Sequence, residues 1–97
     1  MFRHVALFTW TGSQTEEQVQ ALADALAALP AVIPEIREYH FGPDAGLSQP
    51  GCDYAVVADF DSTESFLAYR DHPAHQDLRE QYLRPILGHR CAVQYEL

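Results

Sequence analysis

Apolar and polar positions along the chain alternate in some segments and recur every three or four residues in others. Alternation predicts β-strands at residues 3–10, 36–42, 53–60 and 90–96. Helical spacing predicts three helices, which begin after Thr15, after Asp61 and at Pro73. The first helix is expected to stop at Pro30, because proline cannot continue a regular helix without losing a hydrogen bond. The order β-α-β-β-α(α)-β predicts an α+β, ferredoxin-like antiparallel sheet with its helices on one face.

The first predicted strand is apolar on both of its faces. His4, Ala6 and Phe8 alternate with Val5 and Leu7, so helices on one side leave the second apolar set uncovered. Monomeric proteins rarely expose an apolar patch of that size. The pattern therefore predicts a homodimer in which two sheets pack face to face into a barrel-like core.

Composition narrows the function classes. The 97 residues suit a single domain spanning residues 1–97, with 47% hydrophobic residues. Six Lys and Arg against 14 Asp and Glu give a net charge of -8, which argues against nucleic acid and membrane surfaces as partners. The apolar stretches are too short for a membrane helix, so a cytoplasmic protein with reduced thiols at Cys52 and Cys91 is expected.

Three segments carry a family resemblance: Arg3 to Phe8 (RHVALF), Tyr54 to Asp61 (YAVVADFD) and Tyr69 to His75 (YRDHPAH). Together they resemble the stress-responsive dimeric α/β-barrel (Dabb) family over essentially the whole chain, and the His-Pro-Ala-His run is the most specific of them. The resemblance implies the same fold and dimer as the residue pattern. The family includes stress-associated proteins and a plant polyketide cyclase that forms olivetolic acid by aldol condensation without metal or organic cofactor.

Carried over residue by residue, the resemblance implies three catalytic positions. The histidine base of the cyclase matches His75, its tyrosine partner matches Tyr69, and a further pocket histidine matches His4. One position departs from the cyclase, because its pocket histidine on the third strand falls at Val56 here. The substrate is therefore not expected to be the same.

The residues themselves support a role for this group in catalysis and also a structural one. His75 would lie in the first turn of the third helix, whose positive end favours a neutral imidazole suited to general-base catalysis. Tyr69 would orient this base or donate to a developing enolate. Alternatively, both side chains hold the helix break at His72 and Pro73, and His4 is a satisfied core residue. His72 itself is expected to cap the third helix.

Apolar residues on the predicted strands and helices suggest a ligand pocket. Phe8, Val56 and Phe66 are the expected ligand-binding residues, and the small Ala6 and Ala58 leave room beside them. The five histidines have no metal-ligand spacing, so neither a metal nor a cofactor is expected.

Three functions follow from these observations, and the sequence leaves open whether the chain is an enzyme. The first is a cofactor-independent cyclase or lyase of the aldol type acting on an apolar carbonyl compound. The second is a non-enzymatic stress-associated or small-molecule-binding protein, and the third is a cofactor-free monooxygenase.

Overall fold

Four antiparallel strands form one sheet in a computed structural model that describes all residues from Met1 to Leu97. The strands are β1 (Phe2–Trp10), β2 (Glu38–Pro43), β3 (Tyr54–Phe60) and β4 (Leu87–Glu96), and their order across the sheet is β2-β3-β1-β4. The helices are α1 (Glu16–Val32), α2 (Thr63–Asp71) and α3 (Pro73–Leu78), which continues into a π-helical turn at Arg79–Leu83. The predicted α+β, ferredoxin-like fold is confirmed. None of these helices has the length and apolar character needed to span a membrane.

The end of α1 differs from the prediction. The helix passes through Pro30 and ends at Val32, with the backbone N–H of Ile33 donating to the Leu29 carbonyl. Proline inside a helix costs about 3 kcal/mol. Leu29 and Ile33 are both buried in the core, and their burial offsets this cost by a comparable amount, about 2 kcal/mol for each side chain.

β4 begins three residues earlier than predicted because its first residues pair with the end of β1. Leu87 pairs with Trp10, and a register irregularity lies between Thr9 and Trp10. A Cβ atom at Gly88 would lie only 2.7 Å from the Trp10 carbonyl oxygen. The strands approach this closely because glycine has no side chain at that position.

The inner face of the sheet packs against the helices and forms the core. In β1 the buried residues are His4, Ala6 and Phe8, as the alternation predicts. β1 lies between β3 and β4, so His4 pairs with both Ala58 and Gln94. This register aligns the inner-face residues of three strands.

The outer face of the sheet has no helix over it. Val5 is half-buried, Leu7 and Val93 are exposed, and two polar pairs lie on this face: Arg3 with Asp59, and His40 with Glu38 at a distance of 4.0 Å. The Arg3 guanidinium donates to both Asp59 carboxylate oxygens, at 2.7 and 2.8 Å, and this hydrogen bonding lowers the pKa of Asp59. The face therefore combines exposed apolar side chains with these two pairs.

The junction between α2 and α3 positions the candidate site. His72 ends α2 in an extended backbone conformation, and its Nδ1 accepts a hydrogen bond from the Ala74 backbone N–H at 3.0 Å. Pro73 occupies the first position of α3, where a missing N–H costs nothing. The expected capping role of His72 is confirmed, and the break brings the end of α2 close to the start of α3.

Candidate functional site

A pocket lies between the inner face of the sheet and the helices, and it has two adjoining parts. The inner cleft is about 30 Å³ in volume and is bounded mainly by apolar side chains. The outer part, here called the vestibule, is about 320 Å³ and lies beside β1, β4, α2 and α3. Five residues line both parts: His4, Tyr69, His75, Arg79 and Arg90. The two parts therefore form one site with a narrow apolar end and a wider polar mouth.

The His75 side chain is held by the backbone of the preceding helix. Its Nδ1 lies 3.0 Å from the Arg70 carbonyl oxygen. A carbonyl only accepts hydrogen bonds, so Nδ1 carries the hydrogen and Nε2 keeps its lone pair. His75 therefore has the tautomer that a general base requires.

Burial favours the neutral form of His75. Burial is the largest cause lowering the pKa of His75, and the hydrogen bond to the Arg70 carbonyl partly opposes it. The nearby charges of Arg79 and Arg90 lower the pKa further. The lowered pKa favours the neutral ring that the sequence predicts, and burial is its largest cause.

His4 has the complementary arrangement of ring nitrogens. The Gln94 side-chain amide nitrogen lies 2.9 Å from His4 Nδ1. An amide N–H donates, so Nδ1 is the acceptor and the hydrogen lies on Nε2. Burial lowers the pKa of His4 to about 4, with a smaller contribution from Arg90. His4 is thus a neutral hydrogen-bond donor, whereas His75 offers a lone pair.

Two tyrosine hydroxyls meet at the site. The hydroxyls of Tyr39 on β2 and Tyr69 on α2 lie 2.8 Å apart. Burial raises the pKa of both phenols, so both are neutral. One hydroxyl donates in this bond and the other accepts, and the accepting hydroxyl retains a hydrogen for a ligand.

The helix break brings the Tyr69 and His75 rings together. Their centroids lie 4.2 Å apart, and the His4 ring is 6.3 Å from that of Tyr69. The three residues with expected catalytic roles therefore form one cluster. Phe66 contacts this cluster with its ring centroid 4.9 Å from that of His4.

The three expected ligand-binding residues divide between the two parts of the pocket. Phe8 and Val56 line the inner cleft, and Phe66 lines the vestibule. All six residues singled out in the sequence thus surround one pocket. No three His, Cys, Asp or Glu side chains converge in an arrangement that holds a metal ion.

Tyr39, Arg79 and Arg90 are among the polar residues of the site that were not identified from the sequence. Only Arg79 had a signal in the sequence itself, whereas Tyr39 and Arg90 reach the site through strand pairing. Tyr39 is on the same strand face as Phe41 and pairs with the small Ala58 on β3, which leaves space beside its ring. Arg79 follows His75 by four residues, one helical turn, and Arg90 pairs with Phe8 on β1.

Together these groups can carry out proton transfer on a bound carbonyl compound. His75 Nε2 supplies a base, and the His4 N–H and one tyrosine hydroxyl supply neutral donors for a developing oxyanion. The inner cleft supplies apolar surface for the rest of the molecule.

The chain resembles known proteins in both sequence and structure. Residues 2–97 match the family model described as the stress responsive A/B barrel domain, Dabb. No curated protein matches the chain. A crystal structure from Thermobifida fusca, described as a dimeric ferredoxin-like protein of unknown function, is 46% identical, with a TM-score of 0.91, covering 99% of this chain and 90% of that one.

Two plant proteins share the fold at lower identity. The Arabidopsis thaliana protein At3g17210 is 23% identical, with a TM-score of 0.87, covering 100% of this chain and 95% of its own. The hydroxynitrile lyase from Passiflora edulis is 19% identical, with a TM-score of 0.87, covering 99% of this chain and 92% of its own. At these identities the likeness concerns the fold alone.

Proposed function

The chain belongs to the stress responsive A/B barrel domain (Dabb) family, and from this premise we propose that it is a cytoplasmic homodimer with a cofactor-independent lyase or cyclase activity. Its substrate is a small, mainly apolar carbonyl compound bound between the sheet and the helices. The observation that carries the proposal is the pairing of opposite tautomers, with a lone pair on His75 Nε2 and a hydrogen on His4 Nε2.

The reaction begins with removal of a proton from the carbon next to the carbonyl. His75 Nε2 accepts this proton, and the electron pair of the C–H bond forms the double bond of an enolate. The His4 N–H and a hydroxyl of the Tyr39 and Tyr69 pair stabilise the negative charge on the enolate oxygen. The enolate carbon then attacks a second carbonyl, and protonated His75 returns the proton to the new alkoxide.

Similar structures support two parts of the proposal, the lyase chemistry and the homodimer. The Passiflora edulis protein is a hydroxynitrile lyase on the same fold, so the fold is compatible with lyase chemistry. The roles proposed for this chain rest on its own residues. The homodimer is supported by the uncovered apolar face and by the dimeric description of the Thermobifida fusca protein.

Ligand binding without turnover is a second candidate, favoured by a specific observation. Tyr69 and His75 already have protein partners, the Tyr39 hydroxyl and the Arg70 carbonyl. Residues that only hold the helix break would make the same contacts. The two candidates therefore differ in whether His75 removes a proton from the ligand.

The test follows exchange of the α-hydrogens of 2-octanone for deuterium by NMR. His75→Asn places an amide near the Nδ1 donor position but supplies no base, whereas His75→Ala removes both. We expect His75→Asn to slow exchange at least about 100-fold while the melting temperature stays within a few degrees. His40→Gln, on the opposite sheet face, is the matched control and should exchange at the wild-type rate.

Each other outcome has a defined meaning. Exchange at the wild-type rate in His75→Asn would contradict the role of His75 as the base. In a second outcome, 2-octanone shifts the ring signals of His4 and His75 but not those of His40 and His89, and no exchange occurs. This outcome supports ligand binding without turnover. If the wild type neither exchanges nor binds the ketone, both candidates fail.

A further inference from the structure

The six basic side chains of this acidic protein are all arginines, and they fall into two groups. Four are paired with carboxylates at 2.7 to 2.9 Å: Arg3 with Asp59, Arg37 with Asp61, Arg70 with Asp71, and Arg84 with Glu80. The remaining two, Arg79 and Arg90, have no carboxylate partner although the chain has 14 Asp and Glu residues.

Both unpaired arginines line the same pocket. Arg79 comes from the π-helical turn after α3, and Arg90 comes from β4, the edge strand of the sheet. They lie among the residues of both the inner cleft and the vestibule. Arg70 also lines the vestibule, but its guanidinium is already bound to Asp71. No Asp or Glu lines either part of the pocket.

The charges of Arg79 and Arg90 act on each other and on the site. Burial and the charge of Arg79 both lower the pKa of Arg90. The same two arginines lower the pKa of His75, and Arg90 also lowers that of His4. Two close positive charges without a counter-ion are unfavourable, and a bound anion would relieve this repulsion.

We propose that the ligand of this pocket carries a carboxylate, which Arg79 and Arg90 hold together, and an apolar chain that lies in the vestibule against the opening of the inner cleft. This inference takes the location of the site from the proposed function and adds the class of ligand, which is an oxo acid. A guanidinium group matches the planar carboxylate with two parallel hydrogen bonds. The vestibule, at about 320 Å³, has room for both the carboxylate and its chain.

The apolar part of the ligand is set by the inner cleft. Its lining includes Phe8, Leu22, Leu26, Val56 and Leu83, from the sheet and from the helices. A free inorganic anion would leave this surface unused. The ligand is therefore amphiphilic, with its charge at the two arginines and its apolar part against the lining of the cleft.

The test compares 7-oxooctanoate with 2-octanone, which differ only by a carboxylate in place of a terminal methyl group. Binding is measured by NMR titration of the wild type, Arg79→Gln, Arg90→Gln and the surface control Arg84→Gln. We expect the oxo acid to bind the wild type at least about tenfold more tightly than the ketone. Each pocket variant should reduce oxo acid affinity about tenfold and change ketone affinity less than about twofold, while Arg84→Gln changes neither.

Three results would overturn the proposal. The first is equal affinity for oxo acid and ketone, and the second is wild-type affinity for the oxo acid in both pocket variants. The third is tighter binding of octyl phosphate than of octanoate, which would assign the site to phosphate esters. If any of these results is found while the wild type still exchanges the hydrogens of 2-octanone, the proposed function stands without the carboxylate site. If the wild type instead binds the oxo acid selectively but exchanges no hydrogens, the carboxylate site stands and the proposed catalysis is contradicted.

Discussion

The two faces of the sheet are made from alternating residues of the same strands and have opposite character. On β1, His4 faces the helices with its ring buried and hydrogen-bonded to Gln94. One residue further along, Val5 faces the uncovered side, followed by the exposed Leu7. The buried His4 has no charge partner on the inner face, whereas the outer face carries two pairs, Arg3 with Asp59 and His40 with Glu38, among apolar side chains.

The difference shows how a small domain separates two kinds of recognition. Burial keeps the two histidines and the two tyrosines of the pocket neutral, so they can exchange hydrogens with a small molecule. Val5, Leu7 and Val93 on the outer face have no polar groups to desolvate, so a second copy of the sheet can cover this part of the face at little electrostatic cost. Substitutions on each face should therefore affect different properties.

The largest expected effect comes from a charge on the outer face. Leu7→Asp would bury a carboxylate between the two sheets of the dimer, which costs several kcal/mol without a charge partner. We expect the dimer dissociation constant to rise by at least about 100-fold, so that sedimentation at micromolar concentration gives the monomer mass. Leu67→Asp is the matched control, because Leu67 on α2 is equally exposed at 36% but lies away from this face.

A Leu7→Asp protein that remains a dimer would contradict the proposed packing of the two outer faces. Dissociation of both variants would instead point to a general loss of stability. The comparison of faces predicts dissociation for Leu7→Asp alone.

A smaller effect is expected on the inner face, as a loss of stability in acid. The pKa of His4 is about 4 in the fold, against 6.5 for the ordinary side chain, so the unfolded chain binds the proton more readily. Stability is therefore full above pH 6.5 and falls as the pH drops toward 4. We expect His4 to lower the free energy of unfolding by about 2 kcal/mol between these two pH values, a figure discounted for partial solvent access. Urea unfolding at both pH values measures this loss.

His4→Gln should reduce this dependence of stability on pH. His40→Gln is the control, because it also removes a histidine but should leave the pH dependence unchanged. A slope in His4→Gln equal to that of the wild type would show that the acid sensitivity arises elsewhere. His75, whose pKa is also lowered by burial, should account for part of the remaining slope in the same direction.

The smallest effect concerns the hydrogen bond between the two tyrosines. Tyr39→Phe and Tyr69→Phe each leave one buried hydroxyl without its partner, and each should cost about 1 to 2 kcal/mol in urea unfolding. The double variant should lose less than the sum, because no unpaired hydroxyl remains. Additive losses would mean that the two hydroxyls do not depend on each other.

Much of the fold could be predicted because its signals are local. The alternation in β1 and β3, the Thr15 capping box and the His72-Pro73 break each depend on a few neighbouring residues. The path of α1 through Pro30 could not be predicted in this way. The reason is the burial of Ile33, whose side chain is 0% exposed in the core, and this burial depends on tertiary packing.

The site could be predicted only in part, for the same reason. His4, Tyr69 and His75 were found through short motifs, but Tyr39 and Arg90 join them from β2 and β4. Arg90 in particular is one of six arginines, and nothing nearby in the sequence distinguishes it from those that pair with carboxylates. Its role depends on strand register, which places it opposite Phe8.

The group that orients His75 is a main-chain carbonyl, and this affects how the site can evolve. The Arg70 carbonyl oxygen also accepts a hydrogen bond from the Gln76 side chain at 2.6 Å. Every amino acid carries such a carbonyl, so no single substitution at position 70 removes the acceptor. The tautomer of His75 is inherited with the path of the backbone at Pro73, and the pocket residues around it are free to diverge toward new substrates while the base is retained.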